Sequence, residues 1–168
     1  MAARAGVEIE RKFLVAADPD DAAAVSPEPI RQGYVAVAPD RSELRVRAIG
    51  NAFRLTVKSG SGQVRAEHEI DIGAALFDEL WALTEGRRIE KERLRIPYGA
   101  VTIELDVYGG ALAGLRVAEV EFDSAEAAAA FEPPPWFGDD VTDDPAYRNQ
   151  SLASASSPPI RPTQTGDR

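Results

Sequence analysis

Apolar and polar residues alternate with a period of two through most of the chain between residues 7 and 123, the spacing of strands that bury one face. Eight strands are predicted, over 7–15, 30–37, 43–49, 53–58, 64–72, 87–96, 101–108 and 116–123. Turn-forming residues separate them: Pro39-Asp40, Gly50-Asn51, Gly60-Ser61-Gly62, Pro97-Tyr98-Gly99 and Gly109-Gly110. The period changes over 74–84, where Leu76, Leu80 and Leu83 form one stripe and Gly86 follows, so a helix is expected there. Ser124 is placed to cap a short alanine-rich helix over 125–131, stopped by Pro133-Pro134-Pro135. A further helix is expected over 144–152. Residues 1–153 are expected to form one domain. The remainder, 154–168, reads SASSPPIRPTQTGDR, a composition expected to be a disordered tail.

Eight strands with few helices predict an α+β domain dominated by β. An eight-stranded antiparallel closed barrel with a few external helices satisfies the pattern, because closure removes exposed strand edges. Three short helices do not cover the outer faces of eight strands, which leaves room for a homodimer that buries one of them.

Composition narrows the chemistry. The chain has no cysteine, so disulfides, zinc–thiolate sites and thiol nucleophiles are excluded, and its single histidine, His68, excludes a histidine-rich metal site. No apolar run approaches the roughly 20 residues of a membrane-spanning helix, and the N-terminal MAARAGVEIERK lacks the apolar stretch of a secretory signal, so a cytoplasmic protein is expected. The formal net charge of −9 repels nucleic acid and anionic membranes at long range, so neither is an expected partner. A small polyanion held in a local basic cluster is still allowed.

The charges themselves follow the strand parity. Glu8, Glu10 and Lys12 share one face; so do Arg45 and Arg47; Arg54, Thr56 and Lys58; Glu67 and Glu69; Lys91 and Arg93; Glu104 and Asp106; Glu119 and Glu121. The interleaved residues are largely apolar. A half-solvated antiparallel sheet gives the same alternation, but two features favour charges that face inward. Beyond the first strand, most strands carry an acid pair or a basic pair, and like charges side by side are unfavourable unless something neutralises them. Of 19 basic residues only Lys12, Lys58 and Lys91 are lysines, and all three fall within the strand patterns. Inward-facing pairs of carboxylates suit hard cations such as Mg2+ or Mn2+. Inward arginines and lysines suit phosphoryl oxygens. A metal-bound phosphate chain would satisfy both. His68, between Glu67 and Glu69, is expected to face outward.

The run Val7-Glu8-Ile9-Glu10-Arg11-Lys12-Phe13-Leu14 resembles the E-x-E-x-K signature of the CYTH domain, or triphosphate tunnel metalloenzyme, family. It is followed in order by Gln32-Gly33-Tyr34, Arg45 and Arg47, Thr56-Val57-Lys58, Glu67 and Glu69, Lys91 and Arg93, Glu119 and Glu121, and Tyr147-Arg148-Asn149. Residues 139–143 depart from the expected glutamate-led start. The resemblance spans about residues 7 to 153 and implies an eight-stranded antiparallel tunnel. It implies that Glu8, Glu10, Glu119 and Glu121 are metal ligands for Mg2+ or Mn2+. Lys12, Arg45, Arg47, Lys58, Lys91 and Arg93 would hold the triphosphate, and Tyr34 would act with Lys12 as a base. Glu67, Glu69, Glu104 and Asp106 would be inward acids without an assigned role.

The activity this implies is metal-dependent hydrolysis of inorganic triphosphate, with triphosphate or polyphosphate as the small-molecule partner. Alternatives within the fold are a class IV adenylyl cyclase-like enzyme or a nucleoside or thiamine triphosphatase. An alternative of another class is a non-catalytic polyphosphate-binding module.

Overall fold

The computed structural model describes residues 9–19, 25–40, 42–59 and 66–160. Nine strands form one antiparallel sheet: β1 (Ile9–Val15), β2 (Glu28–Val37), β3 (Glu43–Ile49), β4 (Ala52–Ser59), β5 (Ala66–Asp71), β6 (Arg88–Tyr98), β7 (Val101–Tyr108), β8 (Arg116–Phe122) and β9 (Phe137–Asp140). Three short helices complete it, α1 (Ala74–Ala82), α2 (Ala125–Ala130) and α3 (Asn149–Ala153), with 3-10 turns at Gly110–Leu112 and Pro145–Tyr147. No helix among the described residues is long and apolar enough to cross a membrane.

Each of the eight expected strands forms, but the expectation of a hydrogen-bonded closed barrel is not met. The strand order is β5-β4-β3-β2-β6-β7-β8-β1-β9, so among the described residues the ladder ends at β5 and β9. The physical reason is β9, a strand the sequence pattern did not predict. It pairs with the outer edge of β1, Phe13 opposite Asp140 and Val15 opposite Phe137. That is the edge through which β1 would have had to meet β5.

The sheet nevertheless curls around its charged face, because residues from β1, β3, β5 and β8 line a single cavity. Its convex face is apolar and is covered in two places. Under α1, Val46 and Ala48 pack with Phe77, joined by Phe53, Leu55, Leu80 and Trp81. Beside α2, Ile103, Leu105, Ala118, Val120 and Phe122 pack with Ala128, Phe131 and Phe137. Ser124 caps α2 as expected, its side chain accepting from the Ala127 N–H at 3.1 Å. Trp81 helps dock α1, stacked on Phe77 and flanked by the guanidinium groups of Arg31 and Arg88. His68 is exposed and pairs across the ladder with Val57, so it lies on the convex face as its parity required. Val57 and Ile70, next to it, also stay exposed.

The concave face divides in two. At one end Tyr34, Ile89, Tyr108 and Val117 meet Val141, Tyr147 and Leu152 in a packed apolar cluster, so the segment leading into α3 closes that end. Thr142 fastens this segment to β1, accepting from the Lys12 N–H at 3.0 Å, while Asp140 holds Thr142 and pairs with Arg11. Of the expected tail, residues 161–168 lie outside the described residues, and Ala155 packs on the apolar cluster. Two residues further along the same strands, the face becomes charged.

Candidate active site

The cavity has a volume of about 670 Å3. Its lining brings together nearly all the charged residues singled out by strand parity: Glu10, Arg45, Arg47, Lys58, Glu67, Glu69, Lys91, Arg93, Glu104, Glu119 and Glu121. Glu8 lies outside the described residues. Lys12 is reached through Glu119, with its Nζ 2.9 Å from the Glu119 carboxylate. Alternation on a pleated strand is what delivers this grouping, since every second side chain of a curled sheet converges on one interior.

The β1–β8 wall carries the acids. Glu10 stands directly opposite Glu121, and Lys12 directly opposite Glu119, in the β1–β8 ladder. Lys12 is buried, and burial alone would lower its pKa. Glu119 and Glu10 outweigh that effect and raise it, so Lys12 remains an ammonium. Its Nζ also lies 3.4 Å from the Tyr147 carbonyl oxygen, tying this wall to the closed end. Burial likewise opposes ionisation of Glu119, but Lys12, Lys91 and Arg93 hold its carboxyl well below the usual carboxylate range. Glu10 and Glu121, facing each other across adjacent strands, offer hard oxygen donors of the type that suits Mg2+ or Mn2+. Among the described residues no group of three or more acidic side chains is placed to hold a metal ion, and Glu8 lies outside those residues.

The β6–β7 wall is a neutralised network centred on Asp106, a fully buried acid. Lys91 donates to Asp106 at 2.5 Å, and Arg93 grips both of its oxygens, Nε to Oδ1 and Nη2 to Oδ2 at 2.6 Å each. Arg93 also reaches Glu104 and, at 3.1 Å, Glu119. Burial acts to lower the pKa of Arg93, yet these acids raise it well above the ordinary guanidinium value. For Lys91 the balance falls the other way: complete burial outweighs Asp106 and lowers its pKa. Arg95, which had no expected role, lines the cavity mouth and pairs with Glu28 and Glu104.

The β2–β3 wall is different. Arg45 and Arg47 form no ion pair among the described residues, and the Nε of each is buried without a hydrogen-bond partner. Arg45 makes a long side-chain bond, Nη2 to Thr56 Oγ1 at 3.4 Å, and hydrogen-bonds the Tyr34 hydroxyl. Burial and the neighbouring Arg45 and Arg93 bring the Arg47 pKa down to about 10. Tyr34 stands opposite Arg45 in the ladder and is 2% exposed. Burial pushes its hydroxyl up to about 12 although Arg45 and Arg47 pull the other way.

On the edge, β4 and β5 pair their charges across the ladder. Lys58 bridges Glu67 at 2.9 Å, and Arg54 bridges Glu69 at 2.8 Å and Asp71 at 3.4 Å. Lys58, through a hydrogen bond and its charge, overcomes partial burial to lower the pKa of Glu67.

Two neutral polar residues also line the cavity, Gln32 and Asn149, to which the sequence pattern assigns no role. The signal for Gln32 was its parity: it sits between Ile30 and Tyr34 on the inward face of β2. Its neighbour in the Gln-Gly-Tyr triplet also has a structural reason. A Cβ on Gly33 would lie 2.5 Å from the Thr84 hydroxyl, so only glycine lets the end of α1 close on β2.

Comparison with known proteins agrees with this architecture. The CYTH domain model matches residues 6–140. The chain is 49% identical over 148 residues to an inorganic triphosphatase of Nitrosomonas europaea, covering 87% of this chain and 96% of that protein. It is 37% identical over 150 residues to an inorganic triphosphatase of Acetivibrio thermocellus, covering 88% and 93%. The crystal structure of an inorganic triphosphatase superposes with a TM-score of 0.72 at 46% identity, over 89% of this chain and 96% of that one. With the family model spanning most of the chain and the charged cavity in place, this protein belongs to the CYTH domain family.

Proposed function

We propose that the chain is a divalent-metal-dependent hydrolase that cleaves inorganic triphosphate to pyrophosphate and phosphate inside the charged cavity. The observation that carries this reading is the pairing of an acid wall with a wall of unpaired arginines around one space of about 670 Å3. A polyphosphate chain with its cations complements both at once. The names of the two relatives support the same substrate.

Glu10, Glu119 and Glu121, with Glu8, would hold Mg2+ or Mn2+. Such an ion, when bound, supplies charge neutralisation at the phosphoryl oxygens. Arg45, Arg47, Lys58, Lys91 and Arg93 bind the phosphate chain. Lys12 acts as a fixed ammonium, because Glu119 and Glu10 keep it charged. Tyr34 is the residue that the resemblance pairs with Lys12 as a base; burial, which pushes its hydroxyl up to about 12, opposes that role, and the hydroxyl stays beside Arg45, opposite it in the ladder. Phosphoryl transfer of this kind depends on positioning and charge stabilisation more than on a strong base. The exposed Val57 and Ile70 on the convex face give a second copy an apolar strip to cover, and the homodimer extends the reading on that basis.

The test is phosphate release from triphosphate with Mg2+ or Mn2+ by the parent, Lys12→Ala and Glu10→Gln. Both variants are expected to lose about 100-fold or more in kcat/KM, the scale for removing a preorganised charge from such a site. Rates equal to the parent's would place the chemistry elsewhere.

A further inference from the structure

Gln32 is a fully buried amide, 1% exposed, and both its Oε1 and its Nε2 lack a hydrogen-bond partner. Buried amides in folded proteins are nearly always paired, so an unpaired one at a cavity wall marks a place kept for a ligand. Both ends are unpaired, so a donor and an acceptor are available whichever way the amide is turned. On the β2 ladder Gln32 faces Arg47 on one side and Ile89 on the other, at the boundary between the charged cavity and its apolar closed end. Asn149 enters the same cavity from α3, which packs on β2 and β6, and its Oδ1 is also buried and unpaired.

The chemistry of these groups narrows the occupant. The unpaired Nε–H groups of Arg45 and Arg47 and the Gln32 Nε2 are donors, and ionised phosphoryl oxygens satisfy them. The Gln32 and Asn149 oxygens are acceptors, and a deprotonated phosphate has no hydrogen to offer them. Water does. Resting on the triphosphatase reading above, we propose that Gln32 positions the attacking water: its Nε2 donates to a terminal phosphoryl oxygen while its Oε1 accepts one O–H of the water. The water oxygen then bonds to the terminal phosphorus as the bridging P–O bond breaks. The bridging electron pair leaves on pyrophosphate, and the water hydrogen not held by Gln32 passes to a non-bridging oxygen of the new phosphate. Before the transfer Asn149 Oδ1 accepts that same hydrogen, and it gives up this hydrogen bond as the hydrogen passes to the phosphate oxygen.

The experiment compares the full-length parent with Gln32→Met, which keeps the volume and removes both hydrogen-bonding groups, and with Asn149→Ala. Three quantities are measured: steady-state triphosphate hydrolysis, calorimetric affinity for a non-hydrolysable triphosphate with imido bridges, and the thermal midpoint. For Gln32→Met, kcat is expected to fall about 100-fold, with KM and the analogue Kd changed less than about 3-fold, the signature of an interaction realised in the transition state. The midpoint is expected to equal or exceed the parent's, because an unpaired buried amide is replaced by an apolar chain of like size. Asn149→Ala is expected to give a smaller loss in kcat, about 10-fold, again with unchanged affinity. An unchanged kcat overturns the proposal. So does a rise in KM and Kd alone, which would make Gln32 only a phosphate ligand. A lowered midpoint or a failure to fold would make its amide structural and equally overturn it. A parent that does not hydrolyse triphosphate would instead remove the functional reading, and the midpoint would still decide whether the Gln32 amide is unpaired.

Discussion

Two of the cation-bearing walls of the cavity solve the same electrostatic problem in opposite ways. On β6–β7 every cation that faces inward is matched: Lys91 and Arg93 share Asp106, and Arg93 extends to Glu104 and Glu119. On β2–β3, Arg45 and Arg47 stand side by side with unpaired Nε groups and, in Gln32, an unpaired amide between strands. Buried charge is tolerable only if compensated. The matched wall therefore belongs to the fold, while the unmatched wall is stabilised only when an anion arrives. Position in the same ladder does not imply the same work: Lys91 and Arg93 meet an occupant with their charge already shared with Asp106, while Arg45 and Arg47 meet it with theirs unspent.

Removing the centre of the matched wall should have the largest effect. Asp106→Ala leaves Lys91 and Arg93 buried without their acid, and breaking such a pair from one side costs about 3–5 kcal/mol of folding stability. Denaturant unfolding measures this directly, and a loss under about 1 kcal/mol would show that the network is not a scaffold. On the unmatched wall the sign of the contrast reverses. Arg45→Ala and Arg47→Ala are each expected to lower kcat/KM for triphosphate by about 100-fold, about 2.7 kcal/mol. Their unfolding free energies should stay within about 1 kcal/mol of the parent's, since no ion pair is lost. If either variant were as destabilised as Asp106→Ala, the distinction between the walls would fail. The smallest effect is on acid stability. Glu119 has a folded pKa below its unfolded value, so its contribution is fully present above roughly pH 4.3 and is lost as pH falls through the lower folded value. Glu119→Gln should therefore flatten the acid limb of a stability–pH curve. An unaltered acid limb would remove Glu119 from the neutralised network.

Much of this was legible in the residues. Eight strands could be read because one face of each is apolar and packed, which enforces period two. Strand β9 could not: Phe137–Asp140 has one half-buried residue followed by three exposed ones, so it carries no alternation, and it forms only because β1 offers a free edge. Whether the sheet closes by hydrogen bonds is not legible for the same reason, since the pairing of β9 rather than β5 with that edge is long-range and has no local signature. In the site, the inward residues betrayed themselves by charge. Which of them are spent on one another was invisible, because Asp106, Glu104 and Glu119 follow the same spacing whether they meet metal ions or guanidinium groups. Gln32 and Asn149 fall within the motifs but, being uncharged, carry no signal of a role in the sequence. Their unpaired atoms are features of three-dimensional packing alone.

The central claim is tested most directly by incubating the purified full chain with inorganic triphosphate and Mg2+ or Mn2+, with ATP in parallel, and following phosphate, pyrophosphate and cyclic AMP. The account predicts phosphate and pyrophosphate in equal amounts from triphosphate, with kcat/KM above that for ATP. Tight triphosphate binding without turnover under any divalent ion, or faster conversion of ATP to cyclic AMP, would contradict it.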